Sequence, residues 1–212
     1  IRAHHKETRS EATLSPNVVK ALVSFKDMPI TKRLMLEVVS FTLLPDQVKD
    51  MGLEFEKMDT DGLGEISLHC MKQILTRSSG GHEALSEEEV EEIFNAMKVG
   101  KSEPRVHWHE FIAACLPECH VDDRNLRIAF DRLDKDHNGF ITLEEVVQLL
   151  ARDVDDEQDD IGTAWADSVA EYHCQQSQFS YEVFSRVVQS IKHSRRSSQK
   201  GKPAADVLFI SK

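Results

Sequence analysis

No apolar run in this 212-residue sequence reaches the roughly 18 residues that a membrane span requires. No membrane contact is therefore expected from this stretch. Cysteine is also scarce, at four residues (Cys70, Cys115, Cys119, Cys174), and nothing at the start resembles a signal peptide. Such thiols are expected to stay reduced in a cytoplasmic protein. The first residue is Ile1 rather than Met, so the chain is expected to be a fragment of something longer. Cys115 to His120 reads CLPECH, with His107 and His109 nearby, but no matching second pair of ligands exists and no zinc site is expected.

Positive charge is short overall: the net charge is −11. The shortage is local. Residues 1–33 carry +4 and residues 191–212 carry +5, which leaves −20 on the rest. An acidic body repels nucleic acid, so no nucleic-acid partner is expected. It suits a cation-binding module that carries its own basic ligand.

Residues Phe130 to Val146 read FDRLDKDHNGFITLEEV. Counted from Asp134, places 1, 3, 5, 6 and 12 hold Asp134, Asp136, Asn138, Gly139 and Glu145, the pattern of an EF-hand calcium loop. Ca²⁺ takes six to eight hard oxygen ligands at about 2.3–2.6 Å. Asp134, Asp136 and Asn138 offer side-chain oxygens, Phe140 only its carbonyl, and Thr142 acts directly or through water. Glu145 closes the shell with both oxygens. Gly139 stands where the loop turns sharply and a Cβ is unwelcome. Ile141 is apolar because the loop's short strand pairs with a partner loop.

Weaker copies of this loop recur. DTDGLGEISLHC places Asp59, Asp61, Gly64 and Ile66 correctly, but Leu63 stands at place 5 and Cys70 at place 12. Those two losses leave Asp59, Asp61 and backbone, enough at most for weak calcium. KVGKSEPRVHWHE keeps Val106 and Glu110 but puts lysine and valine early, and it is one residue too long. YHCQQSQFSYEVF keeps Phe179, with Ser177 in place of glycine and Val183 in place of glutamate. The strand residues Ile66, Val106, Ile141 and Phe179 are spaced by 40, 35 and 38. Four helix–loop–helix units at that period make two pairs. Ile66 is expected to face Val106, and Ile141 to face Phe179, in short antiparallel bridges.

The expected fold is all-α: two paired EF-hand lobes with an N-terminal junction helix. Residues 1–14 form a polar linker and 15–44 the junction region. Residues 45–118 form the first pair, 119–192 the second, and 193–212 a basic tail. Ser15 and Pro16 read as cap and first helical residue, Pro29 as a break, and Pro45 as the opening of the first hand. Ser86 and Glu89 form a capping box. The basic amphipathic segment 15–44, with apolar residues within Val18–Phe25 and Ile30–Phe41, reads as a target helix for a calmodulin-like groove or, more plainly, as a surface helix packed on a core. Apolar residues nearly encircle it, which suits a clasped helix. DVDDEQDD, from Asp153, reads as acids gathered at a helix start. Arg195-Arg196-Ser197-Ser198 reads more simply as part of a disordered tail than as a phosphorylation site.

In this order of parts the chain resembles the regulatory half of the calcium-dependent protein kinases. The resemblance rests on VVKALVSFKDMPITKRLMLEVVS for the junction, LLPDQVKDMGLEFEKMDTDG for the first hand, HEFIAA for the second and LRIAFDRLDKDHNGFITLEE for the third. It covers roughly residues 15–190. The family implies an autoinhibitory junction, two EF-hand lobes and an upstream ATP-binding Ser/Thr kinase domain as partner. It also implies that Ca²⁺ rearranges the lobes around the junction and frees the kinase. Most members have three or four intact loops and this chain has one, so regulation is expected to rest on the third hand. No glycine-rich phosphate loop, strand lysine, HRD or DFG is present, so no catalytic residue is assigned here. The other readings are a free-standing EF-hand sensor that binds other proteins, and a scaffold insensitive to calcium.

Overall fold

The computed structural model describes residues 13–77, 84–98, 104–150, 158–174 and 177–198. Most of the expected linker, the extra residue of the second loop and the acidic run Asp153–Glu157 lie outside these residues. Helices α1 (Pro16–Lys26) and α2 (Ile30–Ser40) come first. The first hand is α3 (Lys49–Met58), strand β1 (Ile66–Ser67) and α4 (Leu68–Leu75). The second is α5 (Glu87–Met97), β2 (Arg105–Val106) and α6 (Trp108–Ala114), followed by a 3-10 turn at Leu116–Glu118. The third is α7 (Asp123–Leu133), β3 (Phe140–Ile141) and α8 (Leu143–Leu150). The last is α9 (Gln158–Glu171), β4 (Phe179–Ser180) and α10 (Tyr181–Ser198).

The strands join the hands in pairs. β1 lies antiparallel to β2 with Ile66 opposite Val106, and β3 antiparallel to β4 with Ile141 opposite Phe179. This is the expected register, and all four residues are fully buried. Each pair closes around aromatic contacts. Phe55 packs edge-on to Trp108 and Phe111 in the first, and Phe130 edge-on to Tyr181 and Phe184 in the second.

Pro29 separates α1 from α2 as its missing N–H dictates, standing at the N-cap of α2. Every residue from Leu34 to Ser40 is buried. Successive residues on a helix point about 100° apart, so seven in a row leave no free face. Helix α2 packs against α6 of the first pair and against α7, α8, α9 and α10 of the second. Burying Leu34, Met35, Leu36, Val38 and Val39 stabilises this seat by about 1.5–3 kcal/mol per side chain.

Three local expectations need correction. Ser15 stands at the N-cap of α1, but its side chain caps nothing; its backbone N–H donates to Glu54 Oε2 at 2.9 Å. Pro45 does not open α3. It lies in a turn held by Gln47, whose Oε1 accepts from Leu44 N at 2.8 Å, and the helix starts at Lys49. Helix α10 continues to Ser198, past the 192 limit set for the second pair. The Ser86–Glu89 capping box is present with both of its bonds.

Candidate metal centre

The third loop begins where α7 ends. Asp134 is the C-cap of α7, and its carboxylate turns back into the loop to accept from Asn138 N and Gly139 N, both at 3.0 Å. Gly139 has φ +87°, the left-handed region that a Cβ disfavours. Asp136 Oδ1 also accepts from Asn138 N at 3.1 Å, and Asp136 Oδ2 accepts from Asn138 Nδ2 at 2.8 Å. Asn138 Oδ1 in turn accepts from Phe140 N at 2.8 Å. Residues 134–140 are thus folded round one point by short local bonds.

Glu145 reaches the same point from α8. Its Oε1 accepts from Lys135 N at 2.9 Å, and its Oε2 accepts from Thr142 N at 2.9 Å and from Thr142 Oγ1 at 2.8 Å. Glu145 N donates to Thr142 Oγ1 at 3.3 Å. The side chain expected to be drawn in by the ion already lies over the loop, because it also serves as the reciprocal partner of the helix start. One oxygen from each of Asp134, Asp136 and Glu145 falls within 4.8 Å of the others. Oxygens facing each other across a Ca²⁺ ion stand about 4.6–5.2 Å apart, so the donor set and its spread fit this ion.

Of the six expected ligands, the structure brings the carboxylates of Asp134, Asp136 and Glu145 together. Asn138 and Thr142 are hydrogen-bonded into the same ring, and Phe140, 43% exposed, stands on β3 at its edge. Among the described residues this is the single cluster of three or more potential ligands, so Cys115, Cys119 and His120 do not form one. Cys119 Sγ instead donates to Cys115 O.

The first loop has the same backbone skeleton and a poorer set of oxygens. Asp59 accepts from Leu63 N and Gly64 N, both at 2.9 Å, and Gly64 has φ +81°. Place 1 therefore holds the turn through these two bonds. At place 12, Cys70 Sγ accepts from Thr60 Oγ1 at 3.0 Å. The fourth loop keeps the left-handed turn with Ser177 (φ 55°), whose carbonyl accepts from Trp165 Nε1 at 2.9 Å. Burial pushes the Cys174 thiol in that loop above its ordinary range.

A polar clasp that sequence reasoning missed ties α7 to the end of α2. Asn125 Nδ2 donates to Thr42 O at 2.8 Å and to Gln47 Oε1 at 3.2 Å. Asn125 Oδ1 accepts from Gln47 Nε2 at 2.9 Å and from Asp122 N at 3.1 Å. At the other end of the helix, Arg132 Nη1 donates to Phe41 O at 3.2 Å. Phe41 is the C-cap of α2, where a cation complements the helix dipole. Asp122-x-x-Asn125 was readable as a cap, but nothing marks Gln47 as its partner 78 residues away. Tyr181 on α10 donates to Asp123 at the start of α7, and burial with this bond pushes its hydroxyl up to about 12.

Comparison with known proteins agrees with this geometry. The EF-hand domain family matches residues 125–155. Calcium-dependent protein kinase 31 of Arabidopsis thaliana is 33% identical over 142 residues, 66% of this chain and 28% of its own. Calcium-dependent protein kinase 13 of the same plant is 35% identical over 147 residues, 68% of this chain and 27% of its own. Calcium-dependent protein kinase 19 of Oryza sativa subsp. japonica is 30% identical over 142 residues, 66% and 26% respectively. The chain spans about a quarter of the length of these curated relatives. With the ring of oxygens at Asp134–Glu145 and these matches, the chain is an EF-hand, calcium-binding homologue of the calcium-dependent protein kinases.

Proposed function

We propose that this chain is the calcium-sensing regulatory part of a Ser/Thr protein kinase. Residues 15–44 are its junction, 45–118 and 119–192 its two EF-hand pairs. Its partners are that junction and a kinase domain upstream, in the cytoplasm. Among the described residues no helix is long and apolar enough to cross a membrane. Asp134, Asp136, Asn138, the Phe140 carbonyl, Thr142 and Glu145 hold the ion. Ca²⁺ supplies two positive charges at the point where α7 and α8 meet, and the helices settle around it.

The observation that supports this reading best is the burial of α2 on every side, between α6 and the helices of the calcium-binding pair. A segment held this way leaves its seat only if the pairs move. Ions bound between α7 and α8 therefore bear on the junction through packed side chains rather than through a linker. The names of the matched relatives add a kinase to which such a junction would answer.

The test uses the full-length protein. Phosphorylation of a generic Ser/Thr peptide is measured in calcium and in chelator, for the natural protein and for Glu145→Gln. Calcium dependence that is lost or strongly weakened in the variant is expected. Equal calcium response in both overturns the third hand as the sensor, and no response in either overturns the regulatory reading.

A further inference from the structure

The first hand keeps the backbone of a calcium loop and presents carboxylates, yet a different cation already stands against them. Arg105, on β2 of the second hand, lies directly opposite Ser67 of β1. Its Nη1 is 3.6 Å from Asp61 Oδ2, and its Nε is 3.5 Å from Glu65 Oε2. His107 Nδ1 lies 3.5 Å from the other Glu65 oxygen. Arg105 Nη1 is shielded from solvent and makes no hydrogen bond. What holds it there is charge on charge. Its side chain is 34% exposed, so the attraction is only partly screened.

The two pairs of hands also differ at this position. Arg105 is the residue just before the strand residue Val106, at place 7 of its loop. The equivalent residue opposite the intact third loop is Gln178, just before Phe179, and it is neutral. The loop with the full oxygen set faces an uncharged amide. The loop with Leu63 and Cys70 in place of oxygen donors faces a guanidinium.

We propose that Arg105 is the resident cation of the first hand, and that it decides how many calcium ions this chain takes. Its charge neutralises Asp61 and Glu65, so β1 and β2 stay paired at any calcium level. The same charge opposes a divalent ion that approaches the loop. Loss of oxygens at places 5 and 12 is then only half of why the first hand is silent. The inference does not depend on the kinase reading or on the role given to the third hand.

The test rebuilds the loop. Leu63→Asp and Cys70→Glu are introduced together in the whole chain, with Arg105 kept in one version and Arg105→Gln in the other. Glu145→Gln is present in both, and a Glu145→Gln parent supplies the background titration. Leu63 is 61% exposed, so its replacement meets no core. Calorimetry is expected to give a calcium Kd at least about tenfold tighter without the guanidinium, as a like charge a few ångströms away requires. Equal Kd values in the two versions overturn the proposal. Because Cys70 is buried and the rebuilt loop has to fold, a second measurement stands beside it. Arg105→Gln alone is melted in chelator at low and at molar salt. A midpoint about 2–4 °C lower at low salt, converging on the natural protein at high salt, supports the proposal. An unchanged midpoint at low salt overturns it, whether or not the rebuilt loops bind calcium.

Discussion

At the scale of single residues, Glu145 does two jobs, and they separate by mutation. As the ligand proposed above it would offer a charged oxygen to the ion. As a hydrogen-bond acceptor it takes Lys135 N, Thr142 N and Thr142 Oγ1, and so fixes the start of α8. Glutamine keeps an acceptor oxygen, and alanine keeps none. In chelator, Glu145→Ala is therefore expected to cost about 0.5–2 kcal/mol by urea denaturation, the usual range for a lost cap, while Glu145→Gln costs clearly less. In calcium, both are expected to lose the added stability that the natural chain gains. If both variants unfold like the natural protein in chelator, the bonds seen here hold nothing. The gathering of the Asp134, Asp136 and Glu145 carboxylates was legible in the sequence, because oxygen-bearing side chains at those fixed places follow a known loop pattern. The second job of Glu145 was not, since a ligand and a helix-cap partner ask for the same carboxylate. Asp59 makes the same point from the other side. By its place in the loop it reads as a leftover ligand, yet its carboxylate holds the turn through Leu63 N and Gly64 N.

At the scale of elements, α7 touches both the third loop and α2, as α8 also does. Its C-terminal end supplies Asp134 and Arg132, and its N-terminal end supplies Asn125, which is 3% exposed and uses all four of its hydrogen-bonding positions. Asn125→Ala would strand the buried Thr42 carbonyl, while the Gln47 amide keeps its bonds to Leu44 N and His120 O. Stranding buried polar groups costs about 1–3 kcal/mol, and thermal or urea unfolding of the second pair should register it. Loss below about 0.5 kcal/mol would mean that water replaces the amide without penalty and that the clasp is incidental. The hands themselves, their order and the facing of Ile66 with Val106 and Ile141 with Phe179 were legible, because one apolar residue per loop recurs at a nearly constant period. The break at Pro29 was legible because a proline acts locally, through its own missing N–H. Where α3 starts was not. Pro45 satisfies a helix-start rule, but Gln47 binds Leu44 N and spends those residues on a turn. The clasp of Gln47 with Asn125 was invisible, because two amides far apart in the chain carry no period and no spacing.

At the scale of the whole molecule, the two pairs of hands are unequal around a shared helix. The first pair is braced by Arg105 against Asp61 and Glu65, by Lys72 against Glu87 and Glu91, and by Lys26 of α1 against Glu92. These are protein charges, present at every calcium level. The second pair gathers the carboxylates of Asp134, Asp136 and Glu145 at one point. Helix α2 sits between the two and answers to whichever moves. Amide hydrogen exchange with mass spectrometry should show this asymmetry directly. Calcium is expected to slow exchange across residues 134–146 and to change it across 34–42, the stretch held by α7. Residues 59–70 and 105–114 are expected to exchange alike with and without calcium. A first pair that responds as strongly as the second would mean that its braces yield to the ion. Slowed exchange at 134–146 with 34–42 unmoved would leave a calcium loop that binds but signals nothing, since the packing of α7 and α8 on that stretch would then carry no response.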